Sequence, residues 1–209
     1  NNPQQYLSDM HEVMEYIKLH DHFLLIAHKK PDGDTAGSIT AMANVLEAWG
    51  KDFVAYCKDL PDHHFQFLPL VEKITKDDQL VLSHQPYECV IVFDSGDLGS
   101  AGVDTLVQSL NPRPFIINID HHRTNTRYGD INIVVDSAAS TTEVVAAMFE
   151  AEHVDLTQEI ATCLLTGLDT DTGSFTNPAT SISALNAAST LVEHGGKFPG
   201  SVQKTAAFV

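Results

Sequence analysis

Hydrophobic residues along this chain fall in short unbroken runs rather than in alternating patterns. Three runs end in polar residues: Phe23-Leu24-Leu25-Ile26-Ala27-His28, Cys89-Val90-Ile91-Val92-Phe93-Asp94 and Phe115-Ile116-Ile117-Asn118-Ile119-Asp120. A strand that is apolar at every position is buried on both faces, as in a parallel sheet covered by helices. Phe53-Val54-Ala55-Tyr56-Cys57 reads as a fourth strand, and residues 131–135 as a weaker fifth.

Between the runs the period becomes helical. Ile39, Met42, Ala43 and Leu46 form a stripe within residues 36–49, and Gly50 stops it. Ser140-Thr141-Thr142-Glu143 is a capping box that opens a helix running to about residue 151. Thr157 is placed to cap a helix over residues 158–168. Thr180 is placed to cap a last one that runs to His194 and stops at Gly195-Gly196. A helix over residues 5–18 completes the set. Strands alternating with helices predict an α/β doubly wound fold. Its sheet is expected to be mainly parallel and five-stranded, with helices on both faces and right-handed crossovers.

The composition supports a folded domain. Of 209 residues, 43% are hydrophobic and 19% charged, which is enough apolar material for a core and too little charge for a disordered acidic tail. Twelve basic against 28 acidic side chains give a net charge of -16. Such acidity argues against a surface that coats nucleic acid, so no long duplex is expected as a partner. Cys57, Cys89 and Cys163 are odd in number, far apart and set in apolar runs. They read as buried thiols in a reducing, cytoplasmic setting. No stretch approaches the roughly 20 apolar residues of a membrane span, and no membrane partner is expected.

The acids and histidines concentrate where the runs end. His28 is followed by Asp32 and Asp34, and Asp94 ends the second run. Asp120-His121-His122 ends the third, and Asp169 and Asp171 sit just past the helix predicted after Thr157. Ligands of open α/β sheets bind outside the carboxyl ends of the strands. Carboxylates and imidazoles together suit Mn2+, Zn2+, Fe2+ or Mg2+, and no thiolate cluster exists for a structural zinc. Two divalent ions about 3.5–4 Å apart can share a carboxylate and clamp a phosphoryl group. Asp97 and Asp169 read better as turn or cap residues, Lys29 and Lys30 as solvated loop lysines, and His63-His64 as a surface pair. No phosphate-binding P-loop or dinucleotide glycine fingerprint occurs.

The same segments carry a family resemblance. His28-Lys-Lys-Pro-Asp32-Gly-Asp34, Val92-Phe-Asp94-Ser-Gly-Asp97, Ile119-Asp120-His121-His122-Arg123-Thr-Asn125 and Thr170-Asp171-Thr-Gly-Ser-Phe175 resemble, in order, the four motifs of the DHH phosphoesterase superfamily. The pattern is most similar to the nanoRNase and 3′-phosphoadenosine 5′-phosphate phosphatase subgroup. The resemblance implies a two-metal site, with Mn2+ first and Mg2+, Co2+, Fe2+ or Zn2+ as alternatives. It implies that His28 and Asp32 hold one ion, that Asp34, His121 and Asp171 hold the other, and that Asp94 bridges both. It gives His122 a role at the phosphate or leaving group, Asp120 that of orienting the histidines, and Arg123 a phosphate contact.

The implied substrates are short oligonucleotides or small phosphorylated nucleotides. The alternatives are a pyrophosphatase or exopolyphosphatase, and a non-catalytic nucleotide-binding domain of the same fold. A catalytic domain is expected over residues 1–195, with 196–209 beginning a linker to a second domain absent from the chain. A homodimer is left open. Asp32, Asp34, Asp94, Asp120 and Asp171 account for five of the 28 acids, and two divalent ions would bring -16 to about -12.

Overall fold

A computed structural model describes residues 3–201. The five runs form the strands β1 (Phe23–Ala27), β2 (Phe53–Cys57), β4 (Cys89–Phe93), β5 (Phe115–Asp120) and β6 (Ile131–Val134). A sixth strand, β3 (Ile74–Thr75), corrects the five-stranded expectation. It contributes two residues beside Ala55 and Tyr56, too few to leave a pattern in the sequence. The order is β3-β2-β1-β4-β5-β6, and every neighbouring pair is parallel. The chain winds outward from β1 in one direction, then returns to add β4 on the other side. That reversal leaves a crevice between the carboxyl ends of β1 and β4.

Both faces of the sheet are covered. Along β1, Phe23, Leu25 and Ala27 enter one core while Leu24 and Ile26 enter a second. The larger core takes residues from α1 (Pro3–Leu19), α2 (Gly33–Ala48), α6 (Thr141–Ala151), α7 (Gln158–Asp171) and α8 (Ile182–Glu193). The smaller is closed by α3 (Asp78–Ser83), α4 (Leu98–Ala101) and α5 (Asp104–Ser109), three short helices that sequence periodicity did not predict. All five residues of β1 and of β4 are buried, which is why their runs are unbroken. Each aliphatic side chain so buried contributes roughly 1.5–3 kcal/mol.

Helix ends follow the capping chemistry with two changes. Ser140 caps α6 by accepting from the Glu143 N–H, and Thr157 caps α7 through the Ile160 N–H. The return bond of the capping box goes to the residue before the cap: Glu143 Oε2 accepts from Ala139 N at 2.7 Å. The first change is that α7 runs on to Asp171, so Asp169 and Asp171 lie in its last turn rather than beyond it. The second is that Ser181, not Thr180, caps α8 by accepting from the Ala184 N–H. The Thr180 hydroxyl is buried without a hydrogen-bond partner.

Two glycines set how closely α7 packs. A Cβ on Gly37 of α2 would collide with the Cys163 carbonyl, and one on Gly167 of α7 would collide with the Thr142 side chain. Just past residue 195 the chain still touches α7. The Lys197 N–H donates to Thr162 Oγ1 of α7 at 3.2 Å, and residues 202–209 of the expected linker lie outside the described residues. Among the described residues, no helix is long and apolar enough to cross a membrane.

Candidate metal centre

The carboxyl ends of β1, β4 and β5 meet the N-termini of α2 and α6 and the last turn of α7. Two trios of side chains there share no member: the ligand atoms of His28, Asp32 and Asp94 lie within 4.8 Å of one another, as do those of Asp34, His121 and Asp171. A third set, Asp94, His121 and His122, overlaps both. Asp94 belongs to the first and third sets and is 4% exposed. Its Oδ2 lies 3.4 Å from His28 Nε2, and its Oδ1 lies 3.7 Å from His121 Nε2.

The orientation of each imidazole follows from its second nitrogen. His28 Nδ1 meets the Lys29 carbonyl at 2.6 Å, and His121 Nδ1 meets the Ala138 carbonyl at 3.3 Å. A carbonyl only accepts, so Nδ1 is the donor in each of these contacts and Nε2 faces the acids. From His121 Nε2, Asp171 Oδ2 is 3.6 Å away and Asp34 Oδ2 is 3.9 Å away. These separations are too long for hydrogen bonds. They are short enough for two donors to share one ion with bonds of about 2.0–2.2 Å. By donor type and spacing, the residues fit divalent cations.

Asp34 is fully buried. Its Oδ2 accepts from Thr141 N at 2.6 Å and its Oδ1 from Thr142 N at 2.8 Å. These are otherwise unpaired N–H groups of the first turn of α6, whose dipole favours a negative charge. Two hydroxyls hold Asp94: Thr35 Oγ1 donates to Oδ2 at 2.7 Å and Thr141 Oγ1 to Oδ1 at 3.0 Å. Asp32 caps α2, accepting from Thr35 N at 3.0 Å, while its Oδ2 stands 3.9 Å from His28 Nε2.

Packing acids this closely has an electrostatic cost. Burial, with Asp94 and Asp171 nearby, drives the Asp34 carboxyl well above the usual range. Burial and the charges of Asp94 and Asp32 push Asp171 up to about 7. Asp94 goes the other way: burial opposes its charge, yet the bonds from His28 and Thr35 hold it at about 2. Burial likewise opposes a charged His28, but Asp94 and the Lys29 carbonyl outweigh it and raise the ring to about 9.

The remaining expected residues divide. Asp120 is fully buried, and its Oδ1 accepts from the His121 N–H, the His122 N–H and, at 2.8 Å, from His122 Nδ1. It therefore orients the ring of His122 alone, because the ring of His121 is held by Ala138. His122 is half-exposed, and its hydrogen bond to Asp120 raises its pKa. Arg123 lies outside the trios. Its side chain is 82% exposed and meets Asp136 at 3.7 Å, not the cluster. Of the two acids ending α7, Asp171 joins a trio and Asp169 does not. Asp97 caps α4, as expected of a cap residue.

Sequence reasoning missed Thr35 and Thr141 as partners of Asp94, and the α6 N-terminus as the seat of Asp34. The capping box did mark a helix end able to hold an anion, but nothing in the sequence named which anion. The centre opens on a cleft of about 310 Å³ lined by His28, Asp94, Ser95, Gly96, Asp97, Ser100, His122 and Thr124.

A doubly wound parallel domain with acids and imidazoles gathered around one shared aspartate at its strand switch defines a class of cation-binding α/β proteins. Within that class the chain belongs to the DHH family: the family's N-terminal domain matches residues 22–168. The chain is 34% identical over 199 residues to the bifunctional oligoribonuclease and PAP phosphatase NrnA of Thermus thermophilus, covering 94% of this chain and 58% of that protein. It is 26% identical over 184 residues to a probable manganese-dependent inorganic pyrophosphatase of Streptococcus agalactiae, covering 83% of this chain and 55% of that one. The crystal structure of an exopolyphosphatase-related protein from Bacteroides fragilis has the same fold. Its TM-score is 0.83 at 20% identity, over 91% of this chain and 57% of that one. The chain thus spans little more than half the length of these relatives.

Proposed function

We propose that the chain is the catalytic domain of a metal-dependent phosphoesterase. Its substrates would be short oligonucleotides or small phosphorylated nucleotides of the 3′-phosphoadenosine 5′-phosphate type. The observation that carries this reading is Asp94, a buried carboxylate with one oxygen toward each trio. The name of the Thermus thermophilus relative supports the substrate class. In this reading residues 1–195 form the catalytic domain, and 196–209 begin a linker.

His28 and Asp32 would hold one divalent ion, Asp34, His121 and Asp171 a second, and Asp94 both. The name of the Streptococcus agalactiae relative favours Mn2+, and Mg2+, Co2+, Fe2+ or Zn2+ suit the same donors. When bound, such ions supply Lewis acidity and neutralise charge on a phosphoryl group. The protein supplies alignment. Thr35 and Thr141 hold the two oxygens of Asp94, and the α6 N–H groups hold Asp34. Asp120 binds His122 at Nδ1. That leaves Nε2 to hold a proton for the leaving oxygen, while the Asp120 charge stabilises the protonated ring. Ser100 and Thr124 in the cleft offer hydroxyls to a sugar or phosphate. A net charge of -16 disfavours tracking along long nucleic acid and suits a small substrate drawn to a local positive centre.

The test is hydrolysis by the purified chain with Mn2+ of 3′-phosphoadenosine 5′-phosphate, pApA, pyrophosphate and polyphosphate, side by side. Release from the first two, lost in a folded Asp94→Ala variant, is the expected result. Near-normal turnover by that variant would sink the reading. Faster release from pyrophosphate would favour the second reading, a pyrophosphatase, to which the Streptococcus agalactiae relative points.

A further inference from the structure

The loop after β5 carries a residue whose position neither the trios nor the cleft explains. Asn125 Nδ2 donates to Asp120 Oδ2 at 2.6 Å and to the Ser95 carbonyl at 3.1 Å. Asn125 Oδ1 accepts from Arg127 N at 2.7 Å and from Asn118 Nδ2 at 3.0 Å. The carboxamide can sit only one way round. Flipping it would set its oxygen against a carboxylate and a carbonyl, and its NH2 group against an N–H. Its anchor, Asn118, is fully buried in β5 and also donates to Asn132 Oδ1 of β6 at 3.2 Å. The neighbouring Thr126 N–H donates to the Gly96 carbonyl at 2.8 Å. The loop is thereby tied to the ends of both β4 and β5.

Asp120 has two oxygens with separate tasks. Oδ1 receives His122 Nδ1 and the N–H groups of His121 and His122, and Oδ2 receives Asn125. Rotating the Asp120 carboxylate would break these bonds, and Asn125 is the side chain that restrains its second oxygen. Through Ser95 the same side chain also grips the residue next to Asp94. It therefore fixes the separation between Asp94 and His122, which is 3.6 Å from Oδ1 to Nδ1.

We propose that Asn125 is the positioning residue for His122: through Asp120 it keeps the His122 proton on Nδ1 and the ring at its distance from Asp94. This rests on the phosphoesterase reading for its kinetic consequence but not for its structural one. A fixed tautomer and ring orientation are what a proton-transferring imidazole requires, and partners of this kind typically contribute about 10–100-fold to activity.

The test compares Asn125→Ala, the isosteric Asn125→Asp and the control Asn132→Ala, which cuts the network away from Asp120. Two measurements are made. Long-range 1H–15N spectra of the metal-free chain, at a pH where the ring is neutral, report the His122 tautomer; His122→Gln assigns the signal. Steady-state hydrolysis of 3′-phosphoadenosine 5′-phosphate with Mn2+ reports kcat and KM. The wild type and Asn132→Ala are expected to show the Nδ1–H form. Both Asn125 variants are expected to lose it, with kcat down tenfold or more and KM within twofold. Wild-type tautomer and kcat in either folded Asn125 variant would overturn the proposal, as would an equal kcat loss in Asn132→Ala. Asn125→Asp preserves the side-chain shape, so a failure of the alanine variant to fold leaves the test intact. A wild-type chain without turnover counts against the phosphoesterase reading, and the spectra still decide the role of Asn125.

Discussion

Replacing Gly167 with alanine tests the packing that holds Asp34. In an ordinary helix interior, glycine to alanine stabilises by about 1 kcal/mol. At this position the new Cβ would overlap the Thr142 side chain and stand 2.7 Å from Asp34 Oδ1. Neither neighbour is free to retreat. Thr142 Oγ1 bonds Ser140 Oγ at 2.8 Å, and Asp34 is held by two backbone N–H groups of α6. Overpacking costs about 1–3 kcal/mol, and a weakened hydrogen bond to a charged group costs about 1.5–3 kcal/mol more. Set against the helix gain, Gly167→Ala is expected to lose about 1.5–5 kcal/mol overall. For a domain of this size that lowers Tm by roughly 3–20 °C. Thermal unfolding followed by circular dichroism reads the loss, and calorimetric Mn2+ titration should show at least about tenfold weaker binding. An unchanged or higher Tm with undiminished Mn2+ affinity would refute the close approach of α2, α6 and α7 around Asp34.

Metal binding should depend on pH, because Asp171, at about 7, and His28, at about 9, carry protons in the metal-free chain that a cation must displace. Mn2+ affinity should rise from pH 6 to 9 with proton release, read by calorimetry in buffers of different ionisation enthalpy; binding at pH 7 without proton release would contradict this. His22 gives a stability signal at the opposite end of the sheet. Burial disfavours its charge, but bonds to the His84 carbonyl and the Asp52 carboxylate prevail and raise its pKa. Its contribution is full below about 6.5, the unfolded value, and is lost as pH rises through the folded one. The stability difference between wild type and His22→Gln should shrink as pH rises over that window, and a constant difference in denaturant titrations would remove His22 from the account.

Much of the frame was legible because burial on both faces leaves a plain trace. The runs at β1, β2 and β4 are apolar at consecutive positions, those at β5 and β6 are broken by Asn118 and Asn132, and the polar ends of β1, β4 and β5 mark the edge where chemistry gathers. Two-residue β3 and the short helices α3, α4 and α5 left no period long enough to read. Thr180 and Ser181 are both good caps one residue apart, so local chemistry could not choose between them. The chosen one is Ser181, whose hydroxyl meets the Ala184 N–H. Within the centre, ordered motifs named the acids and histidines, whereas their supports come from distant parts of the chain. Asp34 rests on Thr141 and Thr142, and Asp94 on Thr35 and Thr141. The motif position of Arg123 says nothing of which way an exposed side chain turns; it faces Asp136.

The strand order divides the sheet into two wings, β1 to β3 and β4 to β6. The two trios that share no member each draw on both sides of that division: His28 and Asp32 need Asp94, and Asp34 needs His121, whereas the overlapping set of Asp94, His121 and His122 lies on one side. A cation in either trio would act as a rivet through the join. Cutting the chain between β3 and β4 would then yield two halves, neither holding His28, Asp32 and Asp94 or Asp34, His121 and Asp171 complete. Their reassembly would be strengthened by the ion, beside the β1–β4 pairing and the packing of α2 on α7 that cross the same join.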